Sequence, residues 1–261
     1  MRLPLNCLLL AAAMTALCDS PLAAQKLHVN DRWEECAIVL DPSLSQSAWH
    51  QFASELGLVT YMRPVASARP LGAKKFEFAL LQWSTRIDAA DDAWNDTFSH
   101  PDSMHYLFEG NALPIPGLML RVGMTDRMDV GAYFTKNTGS NYGIAGGQLQ
   151  YNLWNDESRG IAASGRLSVA RLFGPADVSA GVYGADFVVS TGVSIFEPYA
   201  MISGYLSSAH ERTSKVNLRD ENVFGAQGTV GIAAKFSVVR LGAEYTAARV
   251  SGYSIKLGFG S

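Results

Sequence analysis

The chain has 261 residues, a formal net charge of −3, 48% hydrophobic residues and 17% charged residues. This balance lacks the basic excess that nucleic-acid binding requires, so we expect no nucleic-acid partner. The length fits one or two domains.

The first 24 residues have the three parts of a secretory signal. Arg2 precedes a mostly apolar stretch over residues 3–17, and a small-residue site follows at Ala23–Ala24, after Pro21. The apolar stretch is shorter than the roughly 20 residues that a membrane-spanning helix needs. We therefore expect a signal peptide over residues 1–24 and an exported chain. Cys36 is then the only cysteine of the mature chain, so no intrachain disulfide can form.

Residues 25–74 form an N-terminal segment for which we predict one short amphipathic helix. The helix is expected from about Ser45 to Leu56, and Gly57 is expected to stop it. Its apolar stripe has helical spacing and consists of Ala48, Trp49, Phe52 and Leu56. This stripe fits a helix packed on neighbouring protein, and it also fits a plug or lid at the mouth of a barrel. A short strand is predicted over Val59 to Arg63.

From residue 75 to residue 261, apolar and polar residues alternate in a series of segments separated by turn residues. Alternation with period two indicates strands with two chemically different faces. Ten strands are predicted, and the segment near Val59 could raise the number to 12. The ten are Lys75–Ile87, Leu118–Met124, Met128–Lys136, Gly143–Trp154, Ile161–Phe173, Val178–Thr191, Phe196–Ser208, Phe224–Phe236, Val239–Val250 and Tyr253–Phe259.

The connections between these segments fall into two alternating classes. Tight turns are predicted at Thr125–Arg127 and Ser237–Val238, whereas Asp88–Pro116 and Ala209–Val223 are long and polar. Outer-membrane barrels show this segregation, with short periplasmic turns and longer outer loops. The sequence therefore predicts an all-β fold, an antiparallel up-and-down transmembrane β-barrel with a short N-terminal helix.

The strand faces predict a cluster of charges inside this barrel. A charged side chain on the lipid face costs roughly 2–4 kcal/mol near the midplane for Lys or Arg, so charges on barrel strands should point inward. Such a cluster could be a salt-bridge network that fills a narrow, non-conducting barrel, or it could line a solute path or ligand pocket. The predicted lumen cluster consists of Lys235, Arg240, Glu244 and Lys256.

The signal, the alternation and the last strand together resemble bacterial outer-membrane β-barrel proteins of the porin-like or transporter-like kind. The last strand carries Tyr253, Ile255, Leu257 and Phe259 in the pattern Tyr-x-Ile-x-Leu-x-Phe. That ending is similar to the C-terminal signal by which the barrel-insertion machinery recognises such proteins. The resemblance covers residues 75–261 and implies the fold, an outer-membrane location, and outer-membrane lipid and the insertion machinery as partners.

Four polar residues near the end of one predicted strand, Ser207, Ser208, His210 and Glu211, are the best enzymatic candidates. Serine and histidine are used by outer-membrane lipid-modifying enzymes, but neighbours on a strand point to opposite faces. We therefore expect these residues to form a solvated loop edge, and we expect no enzyme.

An acidic stretch follows the first barrel strand and contains Asp88, Asp91, Asp92, Asn95 and Asp96, with His100, Asp102 and His105 beyond it. It lacks the ordered spacing of a calcium loop, so an outer loop is expected rather than a metal site. No phosphate-binding glycine loop is present, and no cofactor is expected.

The expected function is a structural role or narrow-pore transport of small or apolar solutes in the outer membrane. Two alternatives stay open at this point: a lipid-modifying enzyme of the outer membrane, and a soluble periplasmic binding protein similar to lipocalins.

Overall fold

A computed structural model of the chain describes residues 36–88, 91–99, 112–136 and 139–261, so the predicted signal peptide lies outside the described residues. Ten strands form one closed antiparallel barrel, in which the last strand pairs with the first. The predicted fold class and strand number are thereby confirmed. The barrel strands are β2 (Phe76–Arg86), β4 (Ala112–Gly123), β5 (Met128–Lys136), β6 (Gly143–Asp156), β7 (Ile161–Phe173), β8 (Val178–Thr191), β9 (Phe196–Glu211), β10 (Glu221–Phe236), β11 (Val239–Ala247) and β12 (Gly252–Gly260).

The two ends of the barrel differ in the length of their connections. One end carries short turns, including Ser237–Val238, where Ser237 adopts a positive φ of 58°. The other end carries longer connections, among them residues 212–220 between β9 and β10. We call these the turn end and the loop end.

Small elements lie over the loop end. Strand β1 (Ala37–Ile38) pairs with β3 (Phe98–Ser99), and the short helix α2 (Asp92–Asn95) precedes β3. The sequence had no signal for this two-stranded sheet, since two-residue strands are too short to show alternation.

Helix α1 spans Gln46–Thr60 and is four residues longer at its C-terminal end than predicted. Ser45, predicted as the first helical residue, is instead the N-cap, since the Ala48 backbone N–H donates to Ser45 Oγ at 3.2 Å. The prediction that Gly57 stops the helix is wrong. A Cβ at this position would lie 2.6 Å from Ser207 Cβ, so Gly57 instead lets the helix approach β9 closely.

The strand predicted at Val59–Arg63 is also wrong. Val59 and Thr60 belong to α1, and irregular chain from Tyr61 leads to β2. The apolar stripe of α1, for which the sequence left two arrangements open, packs on neighbouring parts of the protein, and Trp49 and Phe52 are fully buried in the core.

The outer face of the barrel is apolar, and the interior combines an apolar core around α1 with many buried polar side chains. Phe78, Leu80, Ile202 and Phe224 are exposed on the outer face, where alternate residues of neighbouring strands are also apolar. Inward residues such as Gln150 are buried. No helix in the described part of the chain is long and apolar enough to cross a membrane.

Candidate functional site

The lumen is occupied by the chain that precedes the first barrel strand. We call residues 46–75 the lumen segment. Its helix begins at the loop end, where Gln46 Nε2 donates to Glu221 Oε1 at 2.5 Å and His50 Nδ1 lies 2.7 Å from Glu221 Oε2. At its far end the Lys74 backbone N–H donates to the carbonyl of Gly123 at 2.9 Å, beside a turn of the turn end. The segment therefore crosses the lumen from one mouth to the other.

The helical part of the lumen segment is bonded to the barrel wall in the loop-end half of the lumen. Ser207 Oγ donates to the Ala53 carbonyl at 2.7 Å, and Trp83 Nε1 donates to the Val59 carbonyl at 2.9 Å. Because both carbonyls belong to the helix, these wall side chains fix its height in the barrel.

The irregular part of the lumen segment is held through its backbone. Arg166 donates to the carbonyl oxygens of Ala66 and Ser67, the second at 2.8 Å. The Leu71 N–H donates to both carboxylate oxygens of Asp129, at 3.0 and 3.1 Å. Buried backbone groups cost free energy when unpaired, so these inward polar side chains are partners that an irregular segment in the lumen requires.

A charge network ties four neighbouring strands, β12, β2, β4 and β5, together toward the turn end. Arg121 donates to Glu77 Oε2 at 3.2 Å and to Asp129 Oδ2 at 2.9 Å, and Lys256 Nζ lies 2.7 Å from Glu77 Oε1. The side chains of all four are at most 3% exposed. Each charge thus has an opposite charge in contact, as buried charges require.

The structure divides the four residues of the predicted lumen cluster into two locations. Glu244 and Lys256 are buried in the lumen, but they pair with Tyr199 (2.7 Å) and Glu77 respectively. Lys235 and Arg240 are direct cross-strand partners beside the tight turn Ser237–Val238, and Lys235 is exposed there.

Several interior residues were missed by sequence reasoning. Among the described residues, the buried cations are Arg63, Arg121, Arg166 and Lys256, and the buried anions are Glu55, Glu77, Asp129, Asp186 and Glu244. Strand parity could have found those on strands, because each occupies an inward position of a predicted strand. Arg63 lies on irregular chain, where no periodic signal exists.

The four enzymatic candidates do not converge as a group. Ser207 and Glu211 occupy lumen-facing positions of β9, whereas Ser208 and His210 occupy the outer face. As predicted from strand parity, Ser207 and Glu211 point away from the face that carries the other two candidates. Ser208 and His210 lie on the same face, because residues two apart on a strand share a face.

Ser208 and His210 form a hydrogen-bonded chain with a third residue that the sequence did not indicate. Ser208 Oγ lies 3.0 Å from His210 Nε2, and His210 Nδ1 lies 2.9 Å from Asp220 Oδ2. Asp220 immediately precedes β10, and the pairing of Ala209 with Glu221 places it beside His210.

The acidic stretch after β2 has structural partners where it is described. Asp91 Oδ2 accepts a hydrogen bond from Gln51 Nε2 at 2.5 Å, which links this loop to the lumen helix. His100, Asp102 and His105 lie outside the described residues. Within the described ranges, no group of three His, Cys, Asp or Glu side chains is arranged to hold a metal ion.

No protein-family model and no curated protein matches this chain. Solved structures match it in barrel architecture. An outer-membrane channel from Pseudomonas putida is 10% identical and has a TM-score of 0.46, with 77% of this chain and 100% of that chain covered. The N-terminal β-barrel domain of OprF from Pseudomonas aeruginosa is 9% identical, with a TM-score of 0.33 and coverages of 73% and 99%. Neisserial surface protein A is 10% identical, with a TM-score of 0.30 and coverages of 71% and 95%. At 9–10% identity these similarities concern the fold alone.

Proposed function

We propose that the protein is a structural β-barrel of the bacterial outer membrane whose lumen is closed by its own N-terminal segment. The observation that carries this proposal is the path of residues 46–75, which cross the lumen and are bonded to the wall at the loop end, at mid-depth and at the turn end. A bonded segment of this length leaves a solute no continuous path unless it moves as a whole.

The outer face supports the membrane placement. Closed barrels satisfy all backbone hydrogen bonds between strands, which is the condition for spanning lipid with strands. Large apolar side chains are exposed around the barrel wall, including Phe78 and Ile202. Monomeric soluble proteins rarely expose such continuous apolar surface, so the face disfavours a lipocalin-like periplasmic protein. Outer-membrane lipid is the partner that this face fits, and β12 is the segment proposed for recognition by the insertion machinery.

Orientation follows from the two classes of connection. If the turn end faces the periplasm, as short turns do in outer-membrane barrels, the loop end faces outward. Cys36, whose backbone N–H donates to the Gly139 carbonyl at 3.1 Å, then lies at the outer mouth. The chain would enter its own lumen from outside and leave it at the periplasmic side.

Planar-bilayer recording tests closure of the lumen. The wild-type protein should show no steady conductance, because the lumen segment stays bonded. A variant that lacks residues 46–71 should open a channel of constant conductance, provided that heat modifiability on detergent gels shows a folded barrel. Steady wild-type conductance equal to that of the deletion variant would overturn the structural proposal and favour narrow-pore transport.

Cell fractionation tests the placement separately. The protein should sediment with outer membranes and require detergent for release. Recovery in the periplasmic fraction without detergent would contradict the membrane placement, whatever the conductance result.

A further inference from the structure

Three side chains on the outer rim of the barrel have the arrangement of a nucleophile, a base and an acid that orients the base. The Asp220 carboxylate lies 2.9 Å from His210 Nδ1 and accepts a hydrogen bond from that nitrogen when it carries the proton. His210 Nε2 is then unprotonated and faces Ser208 Oγ at 3.0 Å, where it can accept the hydroxyl proton. This order of atoms is the one that activates serine in acyl transfer.

The barrel itself builds this arrangement. Ser208 and His210 are two residues apart on β9, so both side chains emerge on the outer face. The register of β9 and β10 supplies the carboxylate from the neighbouring strand. The side chains of His210 and Asp220 are 44% and 61% exposed, so a substrate can reach them.

The surroundings of Ser208 provide groups for the other needs of acyl transfer. Asn222 is its direct cross-strand partner on β10, and Gly181 is its partner on β8. A Cβ at Gly181 would lie 3.4 Å from Arg171 Cγ, so the Arg171 side chain runs beside this open position. An amide and a guanidinium near the nucleophile are donors of the type that stabilises a developing oxyanion.

Apolar side chains continue from the site toward the middle of the barrel wall. Leu206 lies two residues before Ser208 on the same face of β9, and Tyr183 and Phe224 are its cross-strand partners. Leu206, Tyr183 and Phe224 are all exposed. Since the site lies near the loop end of β9, it stands where the apolar band meets the outer interface. Ester groups of membrane lipids occupy that depth, and their acyl chains would lie along the apolar residues.

We propose that Ser208, His210 and Asp220 form a serine-esterase site that hydrolyses acyl esters of membrane lipids. The lipid class rests on the proposed outer-membrane placement, whereas the esterase chemistry does not. The esterase chemistry also does not require a non-conducting lumen, because the site lies on the outer face.

The reaction balances with water as the only co-reactant. Ser208 Oγ attacks the ester carbonyl carbon while its proton passes to His210 Nε2. The C–O bond to the alcohol then breaks, and the alcohol leaves with that proton. Water attacks the acyl-serine and gives a proton to His210, which returns it to Ser208 Oγ as the fatty acid departs. Asp220 is a positioning residue in this scheme, since it acts through His210.

The chemistry is tested on the purified full-length barrel in detergent with a fluorophosphonate probe. The probe should label Ser208, as located by peptide mass spectrometry, and Ser208→Ala should abolish the label. His210→Ala should lower the labelling rate about 10²–10⁴-fold, the usual contribution of a positioned base. Ser158→Ala is the matched control, because Ser158 contacts a carboxylate, Asp156, in a tight turn of the turn end. In Ser158→Ala, Ser208 should be labelled at the wild-type rate.

The positioning role needs its own readout. Asp220→Asn should lower the labelling rate and change its pH profile, and Asp220→Glu should restore part of both, while heat modifiability stays that of wild type. An unlabelled Ser208 in folded wild-type protein, or equal labelling in wild type and His210→Ala, would overturn the proposal and leave a surface hydrogen-bond chain.

Two arms identify the lipid. Micelles of phosphatidylethanolamine and micelles of lipopolysaccharide are incubated separately with wild type and Ser208→Ala, and released fatty acid is measured. Release by wild type alone in either arm supports the lipid-ester assignment and names its source. Labelling of Ser208 without release in either arm overturns the lipid class, although the protein's placement in the membrane could still be correct.

Discussion

Arg121 offers the sharpest test of how the lumen is held together. Its side chain is 3% exposed and bonds two carboxylates, Glu77 and Asp129, which are themselves at most 1% exposed. Arg121→Met keeps most of the volume but removes the cation, and Asp129 then loses its only ion-pair partner among the described residues. Removing one partner of a buried pair costs about 3–5 kcal/mol, because the remaining charge stays buried without compensation. We expect that loss in the free energy of unfolding.

The measurement is urea unfolding of the folded barrel in lipid vesicles, followed by tryptophan fluorescence. Arg159→Met is the matched control, because Arg159 is 73% exposed and its pair with Asp156 at 3.8 Å is a surface pair. Such pairs contribute about 0–1 kcal/mol. The double variant Arg121→Met/Asp129→Asn should recover part of the loss, since it removes the unpaired carboxylate. A loss in Arg121→Met no larger than that in Arg159→Met would refute the reasoning that this network holds the lumen.

Three further outcomes follow from the fold. Gly57→Val should destabilise the barrel by about 1–3 kcal/mol, measured by the same urea unfolding, because the added atoms overlap the wall; an unchanged midpoint would contradict the close packing. Ile202→Arg, near the middle of β9, should cost about 2–4 kcal/mol in lipid vesicles, while Thr191→Arg at the turn end should cost about 0–1; equal costs would argue against a lipid belt. An epitope inserted before Cys36 should bind antibody on intact cells, whereas one after Ser261 should bind only after permeabilisation; the reverse result would invert the proposed orientation.

The strands could be predicted from the sequence because their signal is local. Alternation and flanking turn residues gave β7 and β8 with the bounds that the structure has. The end of α1 could not be predicted, because Gly57 is explained by a tertiary contact with β9 rather than by a helix stop. The path of residues 61–75 could not be predicted either, because an irregular chain inside a barrel is ordered by its contacts with the barrel wall.

The outer-rim site shows the same limit more sharply. Ser208 and His210 were visible as neighbours on one strand, but Asp220 lies ten residues further along the chain. Only the register of β9 and β10 brings its carboxylate to His210. A sequence without pairing information therefore offered Glu211 as the nearest acid, and Glu211 occupies a position on the opposite face.

The lumen helix and the rim site share a structural element. Trp49 Nε1 donates to the Arg219 carbonyl at 3.1 Å, and Gln46 and His50 contact Glu221. The two chain neighbours of Asp220 are thus held by the helix that closes the lumen.

If this contact orients Asp220, Trp49→Phe should slow fluorophosphonate labelling of Ser208. The phenyl ring keeps most of the packing and loses only the indole N–H, so one hydrogen bond of about 1 kcal/mol disappears. That free energy corresponds to a fall in rate of about fivefold at most. Trp83→Phe is the matched control, because its indole N–H donates to Val59 within the same helix and far from Asp220 along the chain. If both variants slow labelling equally, general loosening of the helix explains the effect; if only Trp49→Phe does, the lumen helix positions the acid of the rim site.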